Sequence, residues 1–104
     1  MARTQYGPFR EPLFPKAELD LEMPEMLRYR TEAPFDAIAR FYDEEYKDRR
    51  DIQRRRGEQD GHPVYTIGVG KQATDVQFAT LVVMVDPESL ERRKPTWHIL
   101  VIAR

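Results

Sequence analysis

Cysteine is absent from the 104 residues, and that one absence removes disulfides, thiolate nucleophiles and cysteine metal sites together. Serine occurs once, at Ser89, and histidine twice, at His62 and His98, so the materials of nucleophilic catalysis and of zinc binding are scarce. No run approaches the ~20 apolar residues that span a bilayer, and the opening Met-Ala-Arg-Thr-Gln-Tyr-Gly-Pro lacks the apolar stretch of a signal peptide. Neither sign of charge dominates. Lys and Arg number 17 against 18 Asp and Glu, net −1, which leaves no global field to gather nucleic acid or an anionic membrane. From these absences we expect a soluble cytoplasmic chain that holds no cofactor, meets no membrane and is not an enzyme.

What the chain does have is a core's worth of apolar residues in a densely charged surface. Leu, Ile, Val and Phe together number 24, while 34% of all residues are charged, against a norm of ~25%. The length suits one domain that buries roughly two thirds of its unfolded surface. Four of the 8 prolines (Pro8, Pro12, Pro15, Pro24) fall in residues 1–25, where each removes a donor and extends its neighbour. Residues 1–25 therefore read as a proline-rich arm and residues 26–104 as a single α+β domain. Tyr6, Phe9, Leu13 and Phe14 are too apolar for a solvated tail, and the Pro12-Leu-Phe-Pro15 spacing fits packing on the chain's own core better than a polyproline ligand.

Met26–Thr31 alternates Leu27, Tyr29 and Thr31 with Arg28 and Arg30, the period of a half-buried strand. Phe35, Ile38, Ala39, Tyr42 and Tyr46 then recur at steps of three and four on one face of a helix that Pro34 opens. Asp36 with Arg40, Asp43 with Lys47 and Glu45 with Arg49 stand as i, i+4 pairs on the other face. This helix ends near Arg49 or runs on to Arg56, with Gly57 as its cap. Turn chemistry fills 57–63, strands follow at 64–69, 76–85 and 96–103, and 70–75 is a connecting turn. The expected fold is one helix on a four-stranded antiparallel sheet, in the order strand, helix, strand, strand, strand.

Both parities of the last strands are apolar: Phe78, Val82 and Met84 against Leu81, Val83 and Val85, and Trp97, Ile99 and Val101 against Leu100 and Ile102. A sheet covered on one side should alternate apolar with polar. One helix covers one face, so the arm, a second copy or another partner must cover the other. Leu81, Val83, Val85, Trp97 and Ile99 are the candidate interaction residues.

The strand, helix and three-strand meander resembles the cystatin-like folds, in which a curved antiparallel sheet wraps one helix. The chain has Ile67-Gly-Val-Gly-Lys71 and Pro95-Thr-Trp97 in place of that group's protease-binding hairpin motifs, so the resemblance implies topology and not inhibition. Phe14-Pro-Lys-Ala17, Met26-Leu-Arg-Tyr-Arg-Thr31 and Pro34-Phe35 through Phe41-Tyr42 resemble small uncharacterised bacterial domains with a strand ending in Thr and a helical Phe-Tyr. That resemblance covers the first half of the chain and implies a fold without an activity.

Sites of chemistry are weaker. Ser89 lies in Asp-Pro-Glu-Ser, ordinary turn chemistry without a nucleophile elbow. His62 reads as a loop residue and His98 as a hydrogen-bonded strand residue, while Gly68-Val-Gly70 lacks the third glycine and the helix of a dinucleotide loop. Asp43, Glu44, Glu45 and Asp48 mingle with Lys47, Arg49 and Arg50 in a solvated mosaic. Two basic clusters, one holding Arg54, Arg55 and Arg56 and the other Arg92, Arg93 and Lys94, support an alternative in which nucleic acid binds them and stacks on Tyr46, Tyr65 or Trp97. The first reading is a protein-interaction or self-association module, with a homodimer or another protein as partner. A third is a small-ligand or enzymatic pocket between helix and sheet.

Overall fold

In the computed structural model, which describes residues 4–69 and 79–103, the chain runs β1 (Glu18–Met23), β2 (Met26–Thr31), α1 (Phe35–Glu45), β3 (Ile52–Gln59), β4 (His62–Val69), β5 (Ala79–Val85) and β6 (Trp97–Ile102). All neighbouring strands pair antiparallel in one six-stranded sheet of order β1-β2-β6-β5-β4-β3. The α+β class fits, but the expected four-stranded sheet is wrong by two strands, one at each edge. The expected turn at 70–75 and the strand positions 76–78 lie outside the described residues.

The first extra strand comes from the stretch read as arm. Leu19, Leu21 and Met23 alternate with Glu18, Asp20 and Glu22, and β1 pairs with β2 from Glu18↔Arg30 to Met23↔Met26, with a bulge between Leu19 and Leu21. The second comes from the stretch left open as a helix extension. Asp60 and Gly61 take positive φ, 54° and 82°, the two-residue hairpin turn whose twist matches that of the strands it joins. It zips β3 onto β4 over eight opposed pairs, from Ile52↔Val69 to Gln59↔His62. Helix α1 has already closed at Glu45, with the Tyr46 N–H on Tyr42 O. The i, i+4 ladder gives way accordingly: Lys47 pairs with Glu44, Arg49 with Asp51, and Asp43 turns to β3.

Phe35, Ile38, Ala39 and Tyr42 are the buried face of α1. They pack on two strand rows that the register defines: Tyr29, Ile99, Val83 and Tyr65 in one, Leu27, Val101, Leu81 and Ile67 in the other. Phe35 packs against Trp97 with its ring tilted at 52° and 5.2 Å between ring centres. The proline-rich segment closes the same side. Phe9, Leu13, Phe14 and Ala17 pack against the core, Phe14 meets Phe41 edge to face, and Thr4 hydrogen-bonds Glu45.

Candidate functional site

The segment before β1 is tied down by a carboxylate. Glu11, 4% exposed, accepts the Tyr29 hydroxyl on Oε1 at 2.8 Å and the Phe9 N–H on Oε2 at 2.8 Å, while the Tyr42 hydroxyl donates to Pro12 O at 3.1 Å. A Cβ on Gly7 would stand 1.8 Å from Glu11 Oε1, so this close approach requires glycine. Burial, reinforced by the hydrogen bond to Glu11, pushes the Tyr29 hydroxyl's pKa upward, and burial does the same to Tyr42. Both phenols stay neutral donors that hold the segment on the helix side of the sheet.

The opposite, outward face receives the alternate side chains of the same strands. Leu100, Ile102, Met84 and Val64 are half-buried there, joined by Met26 and Leu21, with Val82 and Thr66 buried at the centre. Thr66 Oγ1 has no hydrogen-bond partner among the described residues. His98 sits at the rim, 13% exposed, with Nε2 3.6 Å from Asp86 Oδ2. Its pKa is lowered, chiefly by burial and further by Arg28 and Arg30, against the opposing pull of Asp86. Asp86 moves downward too: burial resists, but the Glu88 N–H, the Thr96 hydroxyl and His98 favour the carboxylate.

Leu81, Val83, Trp97 and Ile99, named from the sequence as interaction residues, lie instead beneath the helix in the core, and Val85 packs against them. The register is the reason: it places them in rows with the buried Leu27 and Tyr29, and apolar content alone did not distinguish the two parities. The open apolar residues are their neighbours.

The basic clusters part company. Arg54 and Arg56 sit on the helix side of β3 and reach α1: Arg54 Nη1 donates to Asp43 O at 2.9 Å, and Arg56 Nη2 to Asp43 Oδ2 at 3.0 Å. The Tyr65 hydroxyl donates to Asp43 Oδ1 at 2.5 Å, and Arg56 lies over the Tyr65 ring at 5.9 Å. Asp43 is thus a strut between helix and β3–β4 hairpin. Arg55 is exposed on the other side of β3. Arg92, Arg93 and Lys94 are exposed in the β5–β6 connection, and Arg92 lines a cleft with Arg30 and Lys16 beside β2, away from the β3 edge. The structure does not join the two clusters.

Ser89 is fully buried and its hydroxyl is spent structurally, donating to Asp86 O at 2.7 Å and accepting the Thr96 N–H at 2.9 Å. With Asp86 capping the short turn Pro87–Ser89 and accepting the Thr96 hydroxyl at 3.1 Å, the network fastens the β5–β6 connection. No group of three or more metal-ligating side chains gathers among the described residues, and no helix there is long and apolar enough to cross a membrane. Comparison of the chain with protein-family models, with curated proteins and with solved structures finds no match to any of them.

Proposed function

We propose that the chain is a non-catalytic self-association module that pairs through the outward face of its sheet. The observation carrying this reading is the side on which the N-terminal segment docks: Tyr29 and Tyr42 hold it with the helix, so it does not cover Leu100, Ile102, Met84 and Val64. These are central-strand residues in a chain of net charge −1, and two copies therefore approach without strong repulsion. Six strands ~4.8 Å apart give a face of roughly 600 Å² in plan, the order of the ~800 Å² each side of a stable complex buries. His98 and Arg30 lie at its edge, as the polar rim of an interface does, while Arg28, paired with Asp20, stands within the face between Leu21 and Leu100. The nucleic-acid reading has less support, because Asp43 engages Arg54 and Arg56.

Light scattering coupled to size exclusion tests this. The parent should run at about twice its 12.3 kDa mass, and Leu100→Asp with Met84→Asp should halve that value while keeping a cooperative melt. A parent that stays at single-chain mass across the micromolar to millimolar range overturns the proposal.

A further inference from the structure

Where β2 ends and the β5–β6 connection returns, a cleft of about 420 Å³ is lined by Lys16, Glu18, Arg30, Glu32, Arg92 and two threonines, Thr31 and Thr96. Its residues come from four places: the segment before β1 and β1 itself, β2, the stretch leading to α1, and the β5–β6 connection. The floor is rigid. Thr31 and Thr96 are 3% and 4% exposed, and both hydroxyls are engaged, Thr31 Oγ1 accepting the Ala33 N–H at 3.1 Å and Thr96 Oγ1 donating to Asp86.

Elsewhere on the surface neighbouring charges close on each other, as Arg28 does on Asp20, Lys47 on Glu44, Arg49 on Asp51 and Arg56 on Asp43. In the cleft they do not: among the described residues neither Lys16, Arg30 and Arg92 nor Glu18 and Glu32 take part in an ion pair. Both signs are therefore presented to whatever enters. Three cations and two carboxylates sum to +1, which disfavours a bare anion that would meet the glutamates and a bare amine that would meet the arginines.

We propose that this cleft binds a small zwitterion with one surplus negative charge, its acidic groups on Arg30, Arg92 and Lys16 and its ammonium between Glu18 and Glu32. An acidic α-amino acid and a phosphorylated amine share that chemistry, and the volume is in the range of small-molecule sites. Guanidinium forks suit carboxylate and phosphate alike. The cleft adjoins the outward face, with Arg30 at the rim of both, and its binding is read from chemical shifts whatever the oligomeric state.

The test is titration of the full chain, followed by amide chemical shifts, with four probes: L-glutamate, phosphoethanolamine, glutarate, which lacks the ammonium, and butylamine, which lacks the acid. At least one zwitterion should give saturable shifts at Arg30 to Ala33 and Thr96, and which one does so separates the two sources. Glutarate and butylamine should each bind about fivefold more weakly or worse, and Arg92→Gln and Glu32→Gln, both at exposed positions, should each weaken the zwitterion by a similar factor with unchanged melting. No saturable shift from either zwitterion overturns the proposal. So does glutarate binding as tightly as the zwitterions with Glu32→Gln without effect, since that outcome describes a plain anion patch.

Discussion

The central strands send apolar side chains to both faces of the sheet, and the two faces end in opposite states. On one side Ile38, Val83 and Ile99 are sealed at 0% exposure under the helix, and the N-terminal segment is added to that same side. On the other, Leu100, Ile102, Met84 and Val64 are only partly buried around the buried Val82. A cover goes where its polar groups find partners, not where the most apolar area remains. Phe9, Leu13 and Phe14 would suit either face by hydrophobicity alone. Glu11 and the Pro12 carbonyl need donors, and the Tyr29 and Tyr42 hydroxyls that supply them stand on the helix side.

The difference breaks most visibly at its deepest point. Ile38→Ala should cost on the order of 2–5 kcal/mol in denaturant unfolding, the range for a sealed core position, whereas Leu100→Ala, measured on dilute monomer, should cost about 1 kcal/mol. Equal losses would erase the distinction between the faces. Next comes the anchor of the N-terminal segment. Tyr29→Phe leaves the Glu11 carboxylate without its phenolic donor and should destabilise by about 1–3 kcal/mol. Gly7→Ala should cost a similar ~1–3 kcal/mol by overpacking against Glu11. Both variants should make residues 4–17 newly sensitive to protease while leaving the outward face's exposure unchanged, and protection of that segment equal to the parent's would show that the anchor is elsewhere.

Smaller still is the strut at Asp43. Its arginine partners are a third to a half exposed, with side-chain accessibilities of 35% and 50%. Solvent screening therefore holds Arg54→Gln and Arg56→Gln to under ~1 kcal/mol each, and 0.5 M salt should shrink the difference from the parent. Losses above 2 kcal/mol that salt does not touch would mean a buried network.

The mildest effect is pH dependence at the outward rim. Because the folded state lowers the His98 pKa below its ordinary 6.5, the unfolded chain takes up the proton first. Stability is full above that value and declines as pH falls from about 6.5 toward the folded pKa. The lowered Asp86 carboxyl adds stability present above its ordinary 3.8 and lost as pH falls further, through the folded pKa. Unfolding titrations of the parent and His98→Gln should diverge in slope chiefly in the upper window, with a smaller change in the lower one where Asp86 loses its imidazolium neighbour; identical slopes in the upper window would rule out a contribution from His98.

The helix was legible because Phe35, Ile38, Ala39 and Tyr42 repeat at its own period, and β2, β4 and β6 because their alternation or apolar run is continuous. Of the two strands missed, β1 carried a signal in Leu19, Leu21 and Met23, masked by prolines on either side. Strand β3 carried almost none, since Gln53 to Gln59 has no apolar residue and its exposed edge reads like a basic helix end. Only the Asp60-Gly61 turn pointed to it, by requiring a partner before as well as after. Which parity faced the helix was not readable from β5 and β6 themselves. It follows from register, a pairing between distant segments, and so the interaction residues inferred from composition fell on the sealed side. The cleft was invisible for the same reason: Lys16, Arg30 and Arg92 are far apart in sequence and come to one cleft only through the β1–β2 and β2–β6 pairings.

The claim that the outward face is a contact between copies is tested most directly by methyl relaxation in the presence of a soluble paramagnetic agent, recorded on the same protein when dilute and when concentrated. Methyls of Leu100, Ile102, Met84 and Val64 should lose most of their solvent relaxation on concentration, while Leu19, exposed on the helix side of β1, should keep its own. Relaxation of the outward methyls that is the same at both concentrations, in a chain shown to be monomeric at each, would contradict the account.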